Sequence, residues 1–424
     1  MGFRIKKVHA REILDSRGNP TIEVEVTVGS VTSRSSVPSG ASKGRFEAIE
    51  LRDGGNRYHG MGVKKAVKNV NEIISKKIVG MDVMNQKGID EVLIDLDGTE
   101  NKSRLGANAI LGVSLSVLKA SALCIDTPLW KRIEEIAEVR GARIPIPQMN
   151  VINGGKHAGI EEDIQEHMIM PVKFKTFEDA LCAGAETYHC LKEILHKKFG
   201  AMGISVGDEG GFTPPIKNTE QRLEMIEKAI EEAGYKKKIF FALDCASSEF
   251  FKNGIYRLHG KKYTNSDLID YYENLVKNFP IISIEDGLSE SDWIGWTFLT
   301  KELGKKIQIV GDDLLVTNVK RIEEAMEKKA CNALLFKMNQ IGTVTESINA
   351  ARLAHENKWN VIVSHRSGET MDVCMADIAV GLSGLGVNQV KFGAPARGER
   401  IEKYNQLLRI EEVEHLKYSG LFLK

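Results

Sequence analysis

The sequence carries no surplus charge of either sign. Its 58 lysines and arginines are matched by 58 aspartates and glutamates, so no net field favours nucleic acid or an anionic membrane, and any anion site must be built locally. The expected ligand is small rather than polymeric. Cysteine is scarce: Cys124, Cys182, Cys190, Cys245, Cys331 and Cys374 are the only six in 424 residues, and no two form C-x-x-C. Each lies in or after an apolar stretch, as buried thiols do, which argues against zinc and for a reducing cytoplasm. The first residues, Met1 to Lys7, hold no apolar signal segment, and Lys6 breaks the myristoylation pattern. The expectation is a chain that is neither exported nor anchored. The longest apolar run, Asn108 to Cys124, falls short of a membrane span and contains Lys119, while its small residues suit close packing inside a core.

What is present is enough for one large core and a smaller one, since 42% of 424 residues are hydrophobic. Thr21 to Val28 alternates with the period of a half-buried strand and has similar short pieces on either side, which predicts an antiparallel meander. Helical patterns follow at Gly62 to Lys77, Asn85 to Leu96 and Gly106 to Ile125, an α+β order. A charged stretch from Lys131 to Arg143 then leads to Ile144-Pro145-Ile146-Pro147, where the pattern changes. The expected division is a first domain at 1–138 and a second at 139–424.

In the second part, short apolar runs alternate with helical segments, and the runs end in charged groups. Phe240 to Leu243 ends at Asp244, Ile281 to Ile284 at Glu285, and Ile307 to Gly311 at Asp312. Ala333 to Phe336 ends at Lys337, Asn360 to Ser364 at His365 and Arg366, and Val387 to Val390 at Lys391. The intervals between these ends are 41, 27, 25, 28 and 26 residues, close to a strand-plus-helix unit, so the units are expected to close into a β/α barrel. Active sites in that fold lie at the C-terminal ends of the strands, which gathers these groups at one mouth.

Asp244, Glu285 and Asp312 offer only hard oxygen donors, which suits Mg²⁺. Lys337, Arg366 and Lys391 would bind an anion, and the Arg366 fork followed by the Ser367 hydroxyl suits phosphate. A lysine near a cation and another lysine can lose its proton near neutral pH, so Lys337 is a candidate base. Glu166 and Glu209, if neighbours, would repel and keep one proton available for donation. Together these groups fit proton abstraction beside a carboxylate followed by loss of hydroxide.

At this point nine segments resemble the enolase family, in its order. They are Asp15 to Thr21, Pro38 to Ser42, Asn153 to Gly159, Gly207 to Phe212, Leu243 to Glu249, Ser283 to Asp286, Lys337 to Gly342, Ser364 to Thr370 and Gly393 to Arg397. The resemblance implies an enolase-type barrel behind a smaller α+β domain, and reversible dehydration of 2-phosphoglycerate to phosphoenolpyruvate in glycolysis and gluconeogenesis. It implies two Mg²⁺ per site: Asp244, Glu285 and Asp312 would hold the first, and Ser42 would join the second, which arrives with substrate. Lys337 then matches the base at C2, Glu209 the acid at the C3 hydroxyl and Glu166 its partner. Lys391 matches the lysine at the substrate carboxylate, Arg366 and Ser367 the phosphate clamp, and Gln165 and His157 substrate contacts. A Lys or His base working with Mg²⁺ on an ene-diolate is already the general description of enolase-superfamily sites, and these roles follow it. The resemblance further implies a homo-oligomer built on a dimer in which Glu23 meets Arg409 of the partner subunit, and a cytoplasmic protein with a minor surface or secreted fraction.

The departures from the family pattern are Lys43 and Arg45 around Ser42 and a lengthened Ser383 to Val387. Gly154-Gly155-Lys156 and Ser42-Lys43-Gly44 do not fit a nucleotide-binding P-loop and read as turn glycines. Asp313 beside Asp312 is expected on the opposite face of a strand, and so not an equivalent ligand. His9, His59, His189, His196, His259, His355 and His415 show no ligand spacing and receive no role. Two rival functions are a barrel lyase or racemase acting on another carboxylic acid, and a surface-binding role recruiting partners through Lys424.

Overall fold

The computed structural model describes residues 2–40 and 44–419. The meander is there: β1 (Ile5–Leu14), β2 (Pro20–Val28) and β3 (Val31–Ser36) pair antiparallel in chain order. Ile22, Val24, Val26 and Val28 alternate inward along β2 and are fully buried, so one face of the sheet is apolar and has to be covered. The helix Ala107–Cys124 covers it and is itself almost wholly buried. Gly112 sets the closeness of that packing, because a Cβ there would stand 2.6 Å from the Val24 side chain. Burial inside the protein thus accounts for the helix's membrane-like composition. Its one charge, Lys119, reaches out of the core to Asp372 at 2.6 and 2.7 Å.

The charged stretch after residue 131 is more ordered than its composition implies. Leu129–Ala137 is a helix, with Trp130, Ile133 and Ala137 forming a buried stripe at helical spacing among the charges.

The second part closes into an eight-stranded barrel. Its strands are β4 (Ile146–Asn153), β5 (Glu166–Pro171) and β6 (Ile239–Asp244), followed by β10 (Ile281–Glu285), β11 (Gln308–Gly311), β12 (Ala333–Phe336), β13 (Asn360–Ser364) and β14 (Val387–Lys391). The six runs expected from the sequence are six of the eight. Between β6 and β10 a small antiparallel flap of β7 (Phe251–Lys252), β8 (Ile255–Leu258) and β9 (Lys261–Tyr263) accounts for the long first interval.

β4 and β5 stand outside the strand-plus-helix spacing because only the short 3-10 turn Gly155–Ala158 separates them: a loop of 154–165 joins them, and they pair antiparallel. β5 also runs antiparallel to β6, whereas the remaining neighbours are parallel. That single reversal brings the first residue of β5 to the mouth where the other strands end.

The interior of the barrel is filled. Val310, Ala333, Leu335 and Ile362 form an apolar cluster there. Below the mouth Gln389 donates to Gln308 at 2.9 Å and Gln148 to Gln389 at 2.7 Å. β11 and β14 stand three strands apart, so this contact crosses the interior. Lys391, two positions beyond Gln389 on β14, inherits the inward direction through the strand's period of two.

Candidate functional site

Inward parity delivers Asp244, Glu285 and Lys391 to one point. The Lys391 ammonium donates to Asp244 Oδ2 at 2.7 Å and to both Glu285 oxygens at 2.9 Å, and lies 3.3 Å from Glu166 Oε1. Burial alone would lower the lysine's pKa, but Asp244, Glu166 and Glu285 outweigh it and raise it well above the usual range. Glu285 is pushed up in turn by burial and by Asp244. Three buried carboxylates against one ammonium leave a surplus of hard oxygen donors, and a divalent cation suits such a set.

Asp312 lies past the end of β11. Its carboxylate accepts from Lys337 Nζ and, at 2.8 Å, from Gln340 Nε2. Asp286 fixes the turn by accepting the backbone N–H groups of Asp312 and Asp313, both at 2.9 Å. Among the described residues, two trios bring their ligand atoms within 4.8 Å of one another: His157, Glu166 and Glu209, and Asp286, Asp312 and Asp313. Asp244, Glu285 and Asp312 do not form such a trio here; the first two close on Lys391 and the third on Lys337. Strand alternation does not separate Asp313 from Asp312 either, because the strand stops at Gly311 and a turn brings the two carboxylates together. Lys337 departs from expectation in this arrangement. Burial would lower its pKa, but the Asp312 charge raises it, so it is held as an ammonium.

Glu166 and Glu209 are neighbours. His157 Nδ1 stands 3.8 Å from each. Burial and the Glu209 charge push Glu166 well above the usual carboxylate range. Burial acts on Glu209 too, but His365, His157 and Arg400 hold it low, so the two carboxyls are pushed in opposite directions. Burial pushes His365 down to about 4, and its Nε2 lies 3.3 Å from Glu209 Oε2. Asn150 donates to the same oxygen at 3.0 Å.

Arg366 projects beyond β13 and is gripped from the N-terminal part of the chain. Its Nη1 and Nη2 donate to Glu47 at 3.0 and 3.1 Å, and Nη1 donates to Asn339 at 3.1 Å. Ser367 is beside it, its hydroxyl accepting from Arg17 at 3.4 Å. Gln165 is set by its backbone, whose N–H donates to the Asp244 carbonyl at 3.1 Å. The expected residues His157, Gln165, Glu166, Glu209, Asp244, Asp312, Lys337, Arg366, Ser367 and Lys391 line one pocket with only about 20 Å³ of free space. Glu285 sits beneath it on Lys391. Ser42, Lys43 and Lys424 lie outside the described residues.

Among the described residues, Gln165 Oε1 and Glu166 Oε2 in the pocket and Asn150 Oδ1 and Asn153 Oδ1 next to it are buried without a hydrogen-bond partner. Orphans of this kind are costly unless a polar ligand satisfies them. Glu47, Asn150, Asn339, Gln340 and Asp286 were not singled out from the sequence. Asn339, Gln340 and Asp286 lie inside the family segments Lys337 to Gly342 and Ser283 to Asp286 and Glu47 lies five residues after Ser42, so each had a local signal but no assigned role. Of the residues set aside, His259 turns out to be engaged, with Nε2 2.9 Å from Asp163 Oδ1. Cys182 is exposed and Cys124 and Cys190 are half-buried, contrary to the reading of all six thiols as buried.

Residues 5–133 match the family model described as enolase, N-terminal domain, and residues 142–422 the one described as enolase, C-terminal TIM barrel domain. Among curated proteins, the chain is 55% identical to the enolase of Thermococcus kodakarensis, over 97% of this chain and 95% of that protein. It is 55% identical to the enolase of Methanopyrus kandleri over 96% of each. With the enolase of Methanocaldococcus jannaschii the identity is 53%, over 99% of this chain and 97% of that protein.

Proposed function

The chain belongs to the enolase family, and from that premise we infer that it is a hydro-lyase interconverting 2-phosphoglycerate and phosphoenolpyruvate in glycolysis and gluconeogenesis. The observation that carries the reading is the meeting of Glu166, Glu209, Lys337, Lys391 and Arg366 in one small pocket of a chain that matches enolases over nearly its full length.

Lys337 takes the proton from C2 as the free amine, a form it reaches only when Asp312, which holds it as an ammonium here, is engaged elsewhere. Glu209 assists departure of the C3 hydroxide, with Glu166 as the partner that holds the shared proton. Lys391 meets the substrate carboxylate, where its raised pKa keeps it cationic. Arg366 and Ser367 receive the phosphate, and Gln165 and His157 complete the contacts. Removing a proton beside an ionised carboxylate concentrates negative charge, and preorganised cations in a water-poor pocket stabilise it without reorganising.

Asp244, Glu285 and Asp312 would hold a magnesium ion in this reading, and Ser42 would join a second that enters with substrate. Bound magnesium supplies Lewis acidity toward the developing negative charge. The surplus of carboxylate around Lys391 supports Asp244 and Glu285 as donors. Formation of phosphoenolpyruvate, followed with and without Mg²⁺, tests the proposal. Turnover should vanish in excess EDTA and return with Mg²⁺; full turnover in protein shown metal-free would overturn the metal assignment.

On the same premise the domains divide at 138/139. The helix ending at Ala137, the left-handed Glu138 and the start of β4 at Ile146 support that boundary. The expected assembly is a dimer-based oligomer in which Glu23 meets Arg409 of the partner subunit. Within one chain Glu23 takes Arg11 at 2.6 Å, while Arg409 takes Glu402 at 2.7 Å. The exposed Leu14 and Met371, which line a cleft with Glu23, support an interface there. Six free thiols agree with a cytoplasmic protein; a minor surface fraction belongs to the same family expectation.

A further inference from the structure

The loop 154–165 delivers His157 and Gln165 to the pocket and leads directly into Glu166, and Ile164 is the one large apolar side chain that anchors it in the core. Gly159, Ile160 and Glu161 are exposed, and a cleft of about 1030 Å³ separates the loop from the β7–β9 flap, lined in part by Glu161, Phe250, Lys252 and Arg257. Polar ties do the rest: Lys156 donates to Glu249 at 2.9 and 3.0 Å near the start of the loop, and those near its end converge on one buried carboxylate. Asp163 accepts from Arg222 through both oxygens, at 2.7 and 2.6 Å, and from His259 Nε2 at 2.9 Å. Arg222 comes from the helix Thr219–Glu232, is itself fully buried, and also donates to the Ile216 carbonyl at 2.6 Å. His259 comes from the turn between β8 and β9, and its backbone N–H donates to the Glu162 carbonyl at 2.8 Å.

The backbone is built around this grip. A Cβ on Gly154 would lie 2.7 Å from both Arg222 Nη1 and Asp163 Oδ2, so only glycine lets the loop close over the pair. Burial works to raise the Asp163 carboxyl, but His259 and Arg222 hold it far below the usual range. The aspartate is therefore a fixed anion that three segments of the chain share, two residues before Gln165 and three before Glu166.

We propose that Asp163, gripped by Arg222 and His259, is a positioning residue for the acid side of the reaction. It sets the backbone from which Gln165 and Glu166 are presented to Glu209 and His157. This rests on the assignment of Lys337 to proton abstraction and of the Glu166–Glu209 pair to hydroxide departure. Lys337 and Arg366 come from β12 and β13, on other strands of the barrel, so loosening the grip misplaces one wall of the pocket and spares the other. Small misplacements of reacting groups cost up to about a hundredfold in rate, and the loss should fall on dehydration rather than on proton exchange at C2.

The test compares His259→Ala, His259→Gln and Asp163→Asn in the full chain with Mg²⁺. It measures dehydration kcat and KM, deuterium exchange at C2 and the thermal midpoint. His259→Ala should lower dehydration kcat by roughly tenfold or more, with a much smaller fall in exchange. His259→Gln, which keeps an N–H for Asp163, should recover most of the loss, and Asp163→Asn should repeat the pattern with a lower thermal midpoint. Parallel losses of dehydration and exchange, or a change confined to the thermal midpoint, would overturn the proposal. Glu209→Gln is run alongside. If it loses exchange together with dehydration, the acid and base assignments fail, and rescue decides the grip: His259→Gln recovering kcat at an unchanged midpoint retains it, while His259→Gln equal to His259→Ala ends it.

Discussion

Lys337 and Glu209 face different demands although both are buried beside opposite charge. A base must reach C2 without its proton, whereas an acid must share one, and the two roles separate because a stepwise elimination lets the C2 proton exchange with solvent even when hydroxide cannot leave. Lys337→Ala should therefore lose both dehydration and C2 deuterium exchange, each by on the order of a hundredfold or more. Glu209→Gln should lose dehydration to a similar extent yet keep measurable exchange, provided that Lys391 still meets the carboxylate. Exchange surviving in the lysine variant and vanishing in the glutamate variant would reverse the two roles. At this scale residue types could be read in advance and protonation could not. Whether Lys337 is a free amine or an ammonium depends on Asp312, a side chain 25 residues away that a turn places on its nitrogen.

Among the elements, the helix Cys374–Gly381 shows a cost unconnected with chemistry. All eight of its residues are buried, and Asp377 is among them. Gln406 donates to its carboxylate at 3.2 Å, but burial still raises the pKa from 3.8 to about 6. The folded pKa exceeds the unfolded one, so protonation lends stability that is fully present below about pH 4 and lost as pH rises through about 6. A shift of that size corresponds to about 3 kcal/mol as an upper estimate. Asp377→Asn is neutral throughout. It should be more stable than the parent at pH 7, by up to that amount, with the gap closing by pH 4; urea unfolding at the two pH values measures it. An equal difference at both would mean that the charge is not the cause. The helix Ala107–Cys124 teaches the complementary point: its apolar length was legible, but only the sheet beneath it shows that the apolar face belongs to a core.

For the molecule as a whole, the join between the N-terminal part and the barrel matters most. Lys119 binds Asp372, Asp90 accepts from Thr345 at 2.6 Å, and Lys102 meets Glu346 at 2.9 Å. Glu47 extends this join into the pocket by holding the Arg366 fork. Arg366→Lys keeps a positive charge but cannot reproduce two parallel bonds. It should raise KM for the phosphorylated substrate by roughly tenfold or more, as expected for about 1.5 to 3 kcal/mol of charged hydrogen bonding, and weaken an unphosphorylated competitive inhibitor much less. Equal losses for both would show that Arg366 serves the join or the carboxylate rather than phosphate.

The barrel was legible because its evidence is local. A strand announces itself by a short apolar run, a helix by its own period, and their alternation at intervals of 25 to 28 residues needs no knowledge of what pairs with what. The charged ends of six strands were visible for the same reason, and with them most of the pocket. Tertiary structure alone decided the rest. The reversal of β5, which turns Glu166 to the mouth beside Asp244, is a fact about pairing with β4 and β6. The grip on Asp163 joins residues 59 and 96 positions apart, and the hold of Glu47 on Arg366 spans 319. Hydrogen bonds and charge interactions act over a few ångströms in space, whereas a sequence pattern reports only on neighbours along the chain.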